Sequence, residues 1–473
     1  MLISDIRNGK SNSLVYLFLI MGGVIALGFV KYFFGEGLIG GKELLFLKYI
    51  LSGNAYADSW DPMYQAALQE MNNPESGLYQ TIFFENNVKF QYPPASLLPF
   101  MGLIWLNISW EGILHFMNAI SLISMFGIAV CVYIIATTAA EYYTGRIDYP
   151  AGLKIFLFLV LLTGTLFFYP ILRGQYLGQI QIPLDFLISL TFVVWLQNGK
   201  LSAGVLIALA TLIKPQFGLL LIWAAIRKEG RFCAGMFLVL VPAGIISLLV
   251  FGFGEHVDYL SVLSYIGKHG EVFLANQSFN GLLNRLLSDV DPLKWEAFSY
   301  APYNVYVYAG TLVSTIGFLL FGLLYRPTWV RATGADSDPM VSSLDLSTMF
   351  ILLPIASPIA WEHHYGVIWP VIILLLVGAI NLVKVKPDRA AKLCLMLIVI
   401  GYYLVANLVE FVAQDIFSKA PLNLLQSYHF VGGVILLISV IILRKQMKPL
   451  YDPAMVAAAP QGENSYKLAR RKS

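Results

Sequence analysis

The chain has 473 residues, 58% hydrophobic and only 12% charged, with a mean hydropathy of +0.70. A soluble globular chain carries about 25% charged residues, so an ordinary cytosolic enzyme is excluded, and so is a disordered chain, which needs high charge. The net charge of +3 is too small to point to nucleic acid, and three cysteines (Cys131, Cys233, Cys394) inside apolar runs read as buried small hydrophobes rather than a disulfide or zinc framework.

A membrane-crossing helix needs about 20 mostly apolar residues. Runs of this kind lie near residues 13–34, 94–108, 112–137, 152–170, 178–197, 201–226, 232–253, 303–325, 345–360, 365–383, 391–409 and 421–443. They predict an all-α polytopic membrane protein of about twelve spans, a single integral domain over 1–450. The first run is too long for the apolar core of a cleaved leader. Basic residues set the orientation. Arg7 and Lys10 precede the first run; Arg227, Lys228, Arg231, Arg326, Arg331, Lys384, Lys386, Arg389 and Lys392 follow later ones, and the tail 451–473 is basic. All fall on one side when both termini are cytoplasmic. The opposite side then carries loops near 35–93 and 254–302, bearing short interfacial helices, and a turn near 357–365. Lys214-Pro215 splits the run 201–226, as one kinked span or as a re-entrant pair of half helices.

Ionisable groups at membrane depth or in loops against the membrane are costly, which makes them functional candidates. Five clusters qualify. Asp58-Ser59-Trp60-Asp61-Pro62 opens the first outer loop, which exits through Tyr92-Pro93-Pro94. A carboxylate there beside aromatic rings suits a general base, and equally the cap of a helix beginning at Pro62. Asn276-Gln277-Ser278 leads through Gly281 to Arg285, where amides and a guanidinium suit a phosphate or a sugar, or a capped interfacial helix. Trp361-Glu362-His363-His364 interrupts an apolar stretch; adjacent histidines do not share a helix face, so separate roles fit better than a shared metal. Arg173 with Gln175, and Lys214, complete the set as anion ligands or snorkelling anchors. No P-loop, GxSxG or HExxH motif occurs, and neither a metal nor another cofactor is expected.

In this order the clusters resemble glycosyltransferase family 87, polyprenyl-phosphate-mannose-dependent enzymes of the GT-C superfamily. The resemblance runs from Asp61–Ala67 through Tyr92-Pro93-Pro94, Gly174-Gln175, Ala203-Gly204 with Lys214-Pro215, and Asn276–Arg285 to Ser357–His364. It implies a GT-C-type bundle in a cell membrane. It also implies transfer of a hexose, by default mannose, from a lipid-phosphate donor to a lipid or glycan acceptor on the extracytoplasmic face, in cell-envelope glycolipid synthesis. The family's acidic base maps onto Asp61, with Asp58 as the alternative. Arg285, Asn276, Gln277, His363, His364, Glu362, Lys214, Arg173, Gln175 and Tyr92 would hold donor phosphate and sugar. A secondary transporter or flippase is the competing reading, but transporters often show two related halves, and no internal repeat is visible here. Another lipid-linked sugar transferase or polymerase, and a non-catalytic envelope scaffold, are further alternatives.

Overall fold

The computed structural model describes residues 13–34, 42–51, 56–144, 150–296 and 300–447. Arg7, Lys10 and the tail 451–473 lie outside the described residues. Among those described, secondary structure is helical apart from one isolated bridge between Asn276 and Trp361. In chain order the helices are α1 (Ser13–Phe34), α2 (Lys42–Leu51), α3 (Trp60–Asn72), α4 (Leu98–Trp105), α5 (Trp110–Thr144), α6 (Ala151–Leu166), α7 (Tyr169–Leu177), α8 (Gln181–Leu196) and α9 (Lys200–Thr211). They continue with α10 (Leu219–Arg227), α11 (Gly230–His269), α12 (Phe279–Leu287), α13 (Val305–Leu324), α14 (Thr328–Thr333), α15 (Pro339–Ala356), α16 (Trp369–Val385), α17 (Arg389–Ala406) and α18 (Tyr428–Gln446).

Among the described residues seven stretches are long and apolar enough to cross a membrane: those containing α5, α11, α13, α15, α16, α17 and α18. An eighth forms if α6 and α7, bent by 58° at their junction, count as one span. The runs expected at 94–108, 178–197 and 201–226 fold as shorter apolar helices instead. Pro215 is the reason for the last: it lacks the N–H a continuous helix needs, so α9 ends and the chain turns at Lys214 before α10. α11 breaks from helical geometry at Gly252 (φ +74°) and resumes to His269, so the stretch from 254 opens with a helical segment beyond the kink.

Burial separates centre from periphery. The most apolar window is 94% buried in the stretches containing α15 and α16, and 17% in those containing α11 and α13. The outer pair shows Leu249, Phe253, Leu260 and Val313 on its surface, as a lipid-facing helix does. Between helices in lipid, close backbone approach replaces the hydrophobic drive. The α9–α11 contact has this form: a Cβ on Gly204 would meet the Phe232 carbonyl at 2.1 Å, and one on Gly235 the Leu201 carbonyl at 2.1 Å.

The two ends of the bundle differ. One is cationic and tied by buried ion pairs. Arg227 Nε lies 2.5 Å and Arg444 2.7 Å from Asp345, and Lys200 Nζ lies 3.0 Å from Glu229. One carboxylate so clamps α10, α15 and α18, and removing either partner of a buried pair costs about 3–5 kcal/mol. The other end carries a cap built on a second apolar cluster, in which Trp60, Tyr79, Phe83, Phe90 and Phe100 are fully buried with Val262 and Ile266 of α11. Each such side chain contributes about 1.5–3 kcal/mol in a water-facing layer. This cap fixes the loop in front of α3.

Candidate active site

Asp58 is placed by backbone pairing. Tyr56, Asp58 and Ser59 donate their N–H groups to the carbonyls of Tyr176, Leu177 and Gly178 at 3.1, 3.0 and 3.3 Å. Gly178 ends α7 in the left-handed region (φ +68°), and a Cβ there would lie 1.7 Å from the Tyr56 carbonyl oxygen. Only glycine permits both. Ser59 then joins the two loops: its hydroxyl donates to Gln179 Oε1 (2.7 Å), accepts from the Ile180 N–H (3.1 Å) and sits 3.0 Å from the Tyr92 hydroxyl. Gln179 returns its amide N–H to the Asp58 carboxylate. Asp58 keeps an exposed surface although protein surrounds it on most sides, the situation of a group in a cleft. Burial raises its carboxyl above the usual range, opposed by the Gln179 hydrogen bond and the charges of Arg173 and Lys89. Burial likewise pushes the Tyr92 phenol up to about 12, so it stays protonated as a hydrogen-bonding partner. Asp61 sits in the first turn of α3, exposed, with its carboxylate accepting from Gln65 at 2.7 Å. The two acids are therefore in different surroundings: one in the cleft, one on a solvated helix start.

A cationic wall faces the same cleft. Arg173 of α7 acts electrostatically on both Asp58 and His363, and Lys214 acts on His363 and His364. Arg173 lies over the rings of Phe46 and Tyr176 at 5.1 and 5.5 Å, and no described carboxylate pairs with it. Lys214 donates to Gln181 Oε1 (2.6 Å), and Gln181 passes a hydrogen bond to Asp185 (2.7 Å). Asp185 presses on the backbone of Gly366, where a Cβ would meet its Oδ2 at 1.9 Å. The two histidine rings meet edge-on at 4.7 Å, and His363 Nε2 is buried without a partner. Gln175 is also buried, with an unpartnered carbonyl oxygen. Glu362 belongs to a different environment, held by the hydroxyls of Tyr169 (2.9 Å) and Tyr428 (3.3 Å).

The amide motif acts locally as a scaffold. Asn276 Oδ1 accepts from the Ala360 N–H (3.0 Å) and the Ser278 hydroxyl (2.9 Å), and its amide donates to the Glu271 carbonyl (2.9 Å). Gln277 donates to the carbonyls of Leu274 (2.7 Å) and Gln426 (2.6 Å) and accepts from the His429 N–H (3.0 Å). Arg285, 2% exposed, donates to the carbonyls of Phe273 and Asn276 (3.3 and 3.0 Å) and to the Ser427 hydroxyl (2.6 Å). Three segments distant in sequence are thereby locked around the Trp361–Tyr365 turn. Most of the polar capacity of Asn276 and Gln277 goes to this lock.

These residues gather from 58 to 364 around one cleft in an all-helical bundle. Residues 90–301 match the model of glycosyltransferase family 87. That is the family the ordered motifs resemble, and it indicates a membrane glycosyltransferase. No curated protein and no solved structure matches the chain. The family 87 match takes in Tyr92, Arg173, Lys214, Asn276 and Arg285; Asp58, through Ser59, and the two histidines lie near some of these in space, and Asp61 stands apart. Among the described residues no group of three or more His, Cys, Asp or Glu side chains could hold a metal ion.

The fold also brings up residues that sequence reasoning missed. Lys89 reaches Glu271 at 3.3 Å and acts electrostatically on Asp58. It lies 4.5 Å from the Trp295 ring centre, 4.8 Å from Tyr300 and 5.9 Å from Trp361. Gln179 was visible only as one amide in a polar run. The lone charges of Lys89 and Glu271 sit in no recognisable spacing, so only the fold reveals their pairing.

Proposed function

We propose that the protein transfers a hexose, with mannose as the first choice, from a polyprenyl-phosphate sugar to a lipid or glycan acceptor by a single inverting displacement, with Asp58 as the base. The observation that carries this reading is one accessible, partly desolvated carboxylate, fixed by backbone pairing and by Gln179, in a cleft walled by Arg173, Lys214 and His363. The acceptor hydroxyl gives its proton to Asp58 as its oxygen bonds to the anomeric carbon. The bond from that carbon to the phosphate oxygen breaks, and the electron pair leaves with the phosphate. A phosphate is already a stable anion, so it needs positive charge rather than a proton donor; Arg173 and Lys214 supply it. A positioned base contributes about 10²–10⁴-fold. Inversion needs only one such carboxylate, whereas retention by double displacement needs two about 5–5.5 Å apart. The environment of Asp58 favours it over Asp61.

The cationic end of the bundle, with Arg227, Lys228, Arg231, Arg326, Lys384, Lys386 and Arg444, supports a cytoplasmic placement of that end and of both termini. The cleft, at the other end, is then extracytoplasmic. The short apolar helices α8, α9 and α10 bring the membrane-embedded segments towards the expected dozen. The poorly covered faces of α11 and α13 suit a polyprenyl chain entering from the bilayer.

The test uses purified protein in nanodiscs with radiolabelled polyprenyl-phosphate-mannose and a lipid extract, for wild type, Asp58→Asn and Asp61→Asn. Transfer that survives chelator, vanishes in Asp58→Asn and persists in Asp61→Asn is the expected result. Absence of transfer from this donor and from a panel of other polyprenyl-phosphate sugars refutes the proposal. Lipid scrambling in liposomes would then support a transporter.

A further inference from the structure

α13 finishes at the cationic end of the bundle, and the last turn of a helix leaves its carbonyls without helical partners. Arginines take them. Arg227 donates to the carbonyls of Leu323 (2.8 Å) and Tyr325 (2.9 Å), and Arg331 to that of Leu324 (3.4 Å). The Arg444 guanidinium lies 5.3 Å from the centre of the Tyr325 ring, and Arg326 is the next residue along the chain. Four guanidiniums thus gather round one short turn. The Asp345 carboxylate is divided between Arg227 and Arg444. Those two belong to the interior: Arg444 is buried, and Arg227 commits Nε, Nη1 and Nη2 to Asp345 and the two carbonyls. Arg326 and Arg331 belong to the surface, the first half-buried and the second exposed. Apolar residues lead away from the same place. Ile222 and Ile226 are exposed on one face of α10, and Leu320 and Leu324 on one face of α13. Arg227 ties the ends of the two helices together, so both exposed rows terminate at the cationic turn.

We propose that this turn is a binding site for one anionic phospholipid, with its phosphate on Arg326 and Arg331 and its acyl chains along the rows Ile222–Ile226 and Leu320–Leu324. The site lies at the opposite end of the bundle from Asp58 and does not depend on the transferase reading. Guanidinium forks match the oxygens of a phosphate, and basic pockets between membrane helices hold anionic headgroups. A zwitterionic headgroup brings an ammonium of its own into a surrounding that already holds four guanidiniums. A free phosphate satisfies the arginines and leaves the apolar rows uncovered. The lipid also has a structural consequence. α13 is one of the two least covered spans, and a phosphate between Arg326 and Arg331 offsets the repulsion among the guanidiniums that fasten its end to α10 and α18.

The test titrates the purified full chain in detergent with phosphatidylglycerol, phosphatidylcholine or inorganic phosphate and counts bound species by native mass spectrometry. Wild type is expected to retain one phosphatidylglycerol, at least about tenfold more tightly than phosphatidylcholine or phosphate. The double variant Arg326→Gln, Arg331→Gln should weaken that binding by about 30-fold, roughly fivefold for each surface arginine. The control Arg389→Gln, Lys392→Gln removes two exposed charges at the start of α17, at the same end, and should change it by less than about twofold. Melting in phosphatidylcholine nanodiscs checks the fold: all three proteins should melt alike, and added phosphatidylglycerol should stabilise wild type and the control but not the Arg326, Arg331 variant. Equal binding by wild type and that variant overturns the site, as does equal retention of phosphatidylcholine or of phosphate. Equal losses in the two double variants also overturn it, since they mark a diffuse attraction to anionic lipid rather than a site. Sugar transfer enters none of these readouts, so their outcome and that of the transferase assay are separate.

Discussion

Replacing Gly178 by alanine tests whether the loop pairing positions the base, because it alters no group placed in the chemistry. Two costs combine. The left-handed conformation (φ +68°) is unfavourable for alanine by about 1–2 kcal/mol. The new Cβ would lie 1.7 Å from the Tyr56 carbonyl oxygen, and recovering an ordinary contact of about 3.4 Å requires the Tyr56–Ser59 segment to retreat by about 1.7 Å. Misplacement of a catalytic group by about 1 Å costs about 10²-fold in rate. Gly178→Ala is therefore expected to lower kcat by about 10² to 10³ with a modest loss of thermal stability. Gly252→Ala is the control. It shares a positive φ (+74°), but its Cβ would meet nothing within 4 Å. It carries the backbone cost alone and should keep kcat within about threefold of wild type. The assay is donor turnover in nanodiscs, with melting followed in parallel. Equal activity of Gly178→Ala and wild type would show that the pairing does not hold Asp58 and would refute the reasoning.

Other outcomes follow from the same geometry. Burial raises the Asp58 carboxyl, so kcat/KM should rise with pH along a limb centred above the ordinary aspartate value of 3.8. In Gln179→Leu, which removes the lowering hydrogen bond, that limb should move to higher pH; an unmoved limb would separate Gln179 from the base. Arg285→Lys should destabilise the protein by about 1–3 kcal/mol through unpaired carbonyls at Phe273 and Asn276, with the donor KM unchanged. A large rise in donor KM at unchanged stability would return Arg285 to the donor. Glu70, 8% exposed near Glu255, has its carboxyl raised by burial to about 7. A raised carboxyl favours the fold at low pH and loses that contribution as pH climbs from 4.5 through 7. Glu70→Gln should thus stabilise the protein at pH 8, with about 3 kcal/mol as an upper limit, and have little effect at pH 4. Melting curves at both pH values decide it.

What could be read in the sequence, and what could not, follows from range. The long apolar runs state their own conformation, so α5, α11, α13 and the helices from α15 onward were legible. Their depth was not: α8, α9 and α10 carry equally apolar residues, and only Pro215 hinted that one run folds back. Chemistry-bearing residues were legible as types. Arg173 and Lys214 both come close enough to act electrostatically on His363. Asn276 and Gln277 were legible as a polar motif, but their hydrogen bonds to Ala360, Gln426 and His429 were not, because those partners are remote in sequence. Asp58 and Asp61 lie three positions apart, and the choice between them depends on Gly178, more than a hundred residues away. Lys89 and Glu271 were silent because each is a single charge whose partner is remote in sequence.

The anchoring of Gln277 on Gln426 and His429, and of Arg285 on Ser427, has a consequence for biosynthesis. Helices enter the membrane in order, and α18 is the last among the described residues. Until it arrives, the turn carrying the two histidines lacks its footing, although Asp58 and its partners were synthesised long before. A translation product that stops short of residue 426 would lack the partners of Gln277 and Arg285 and leave the turn carrying the two histidines without that anchor.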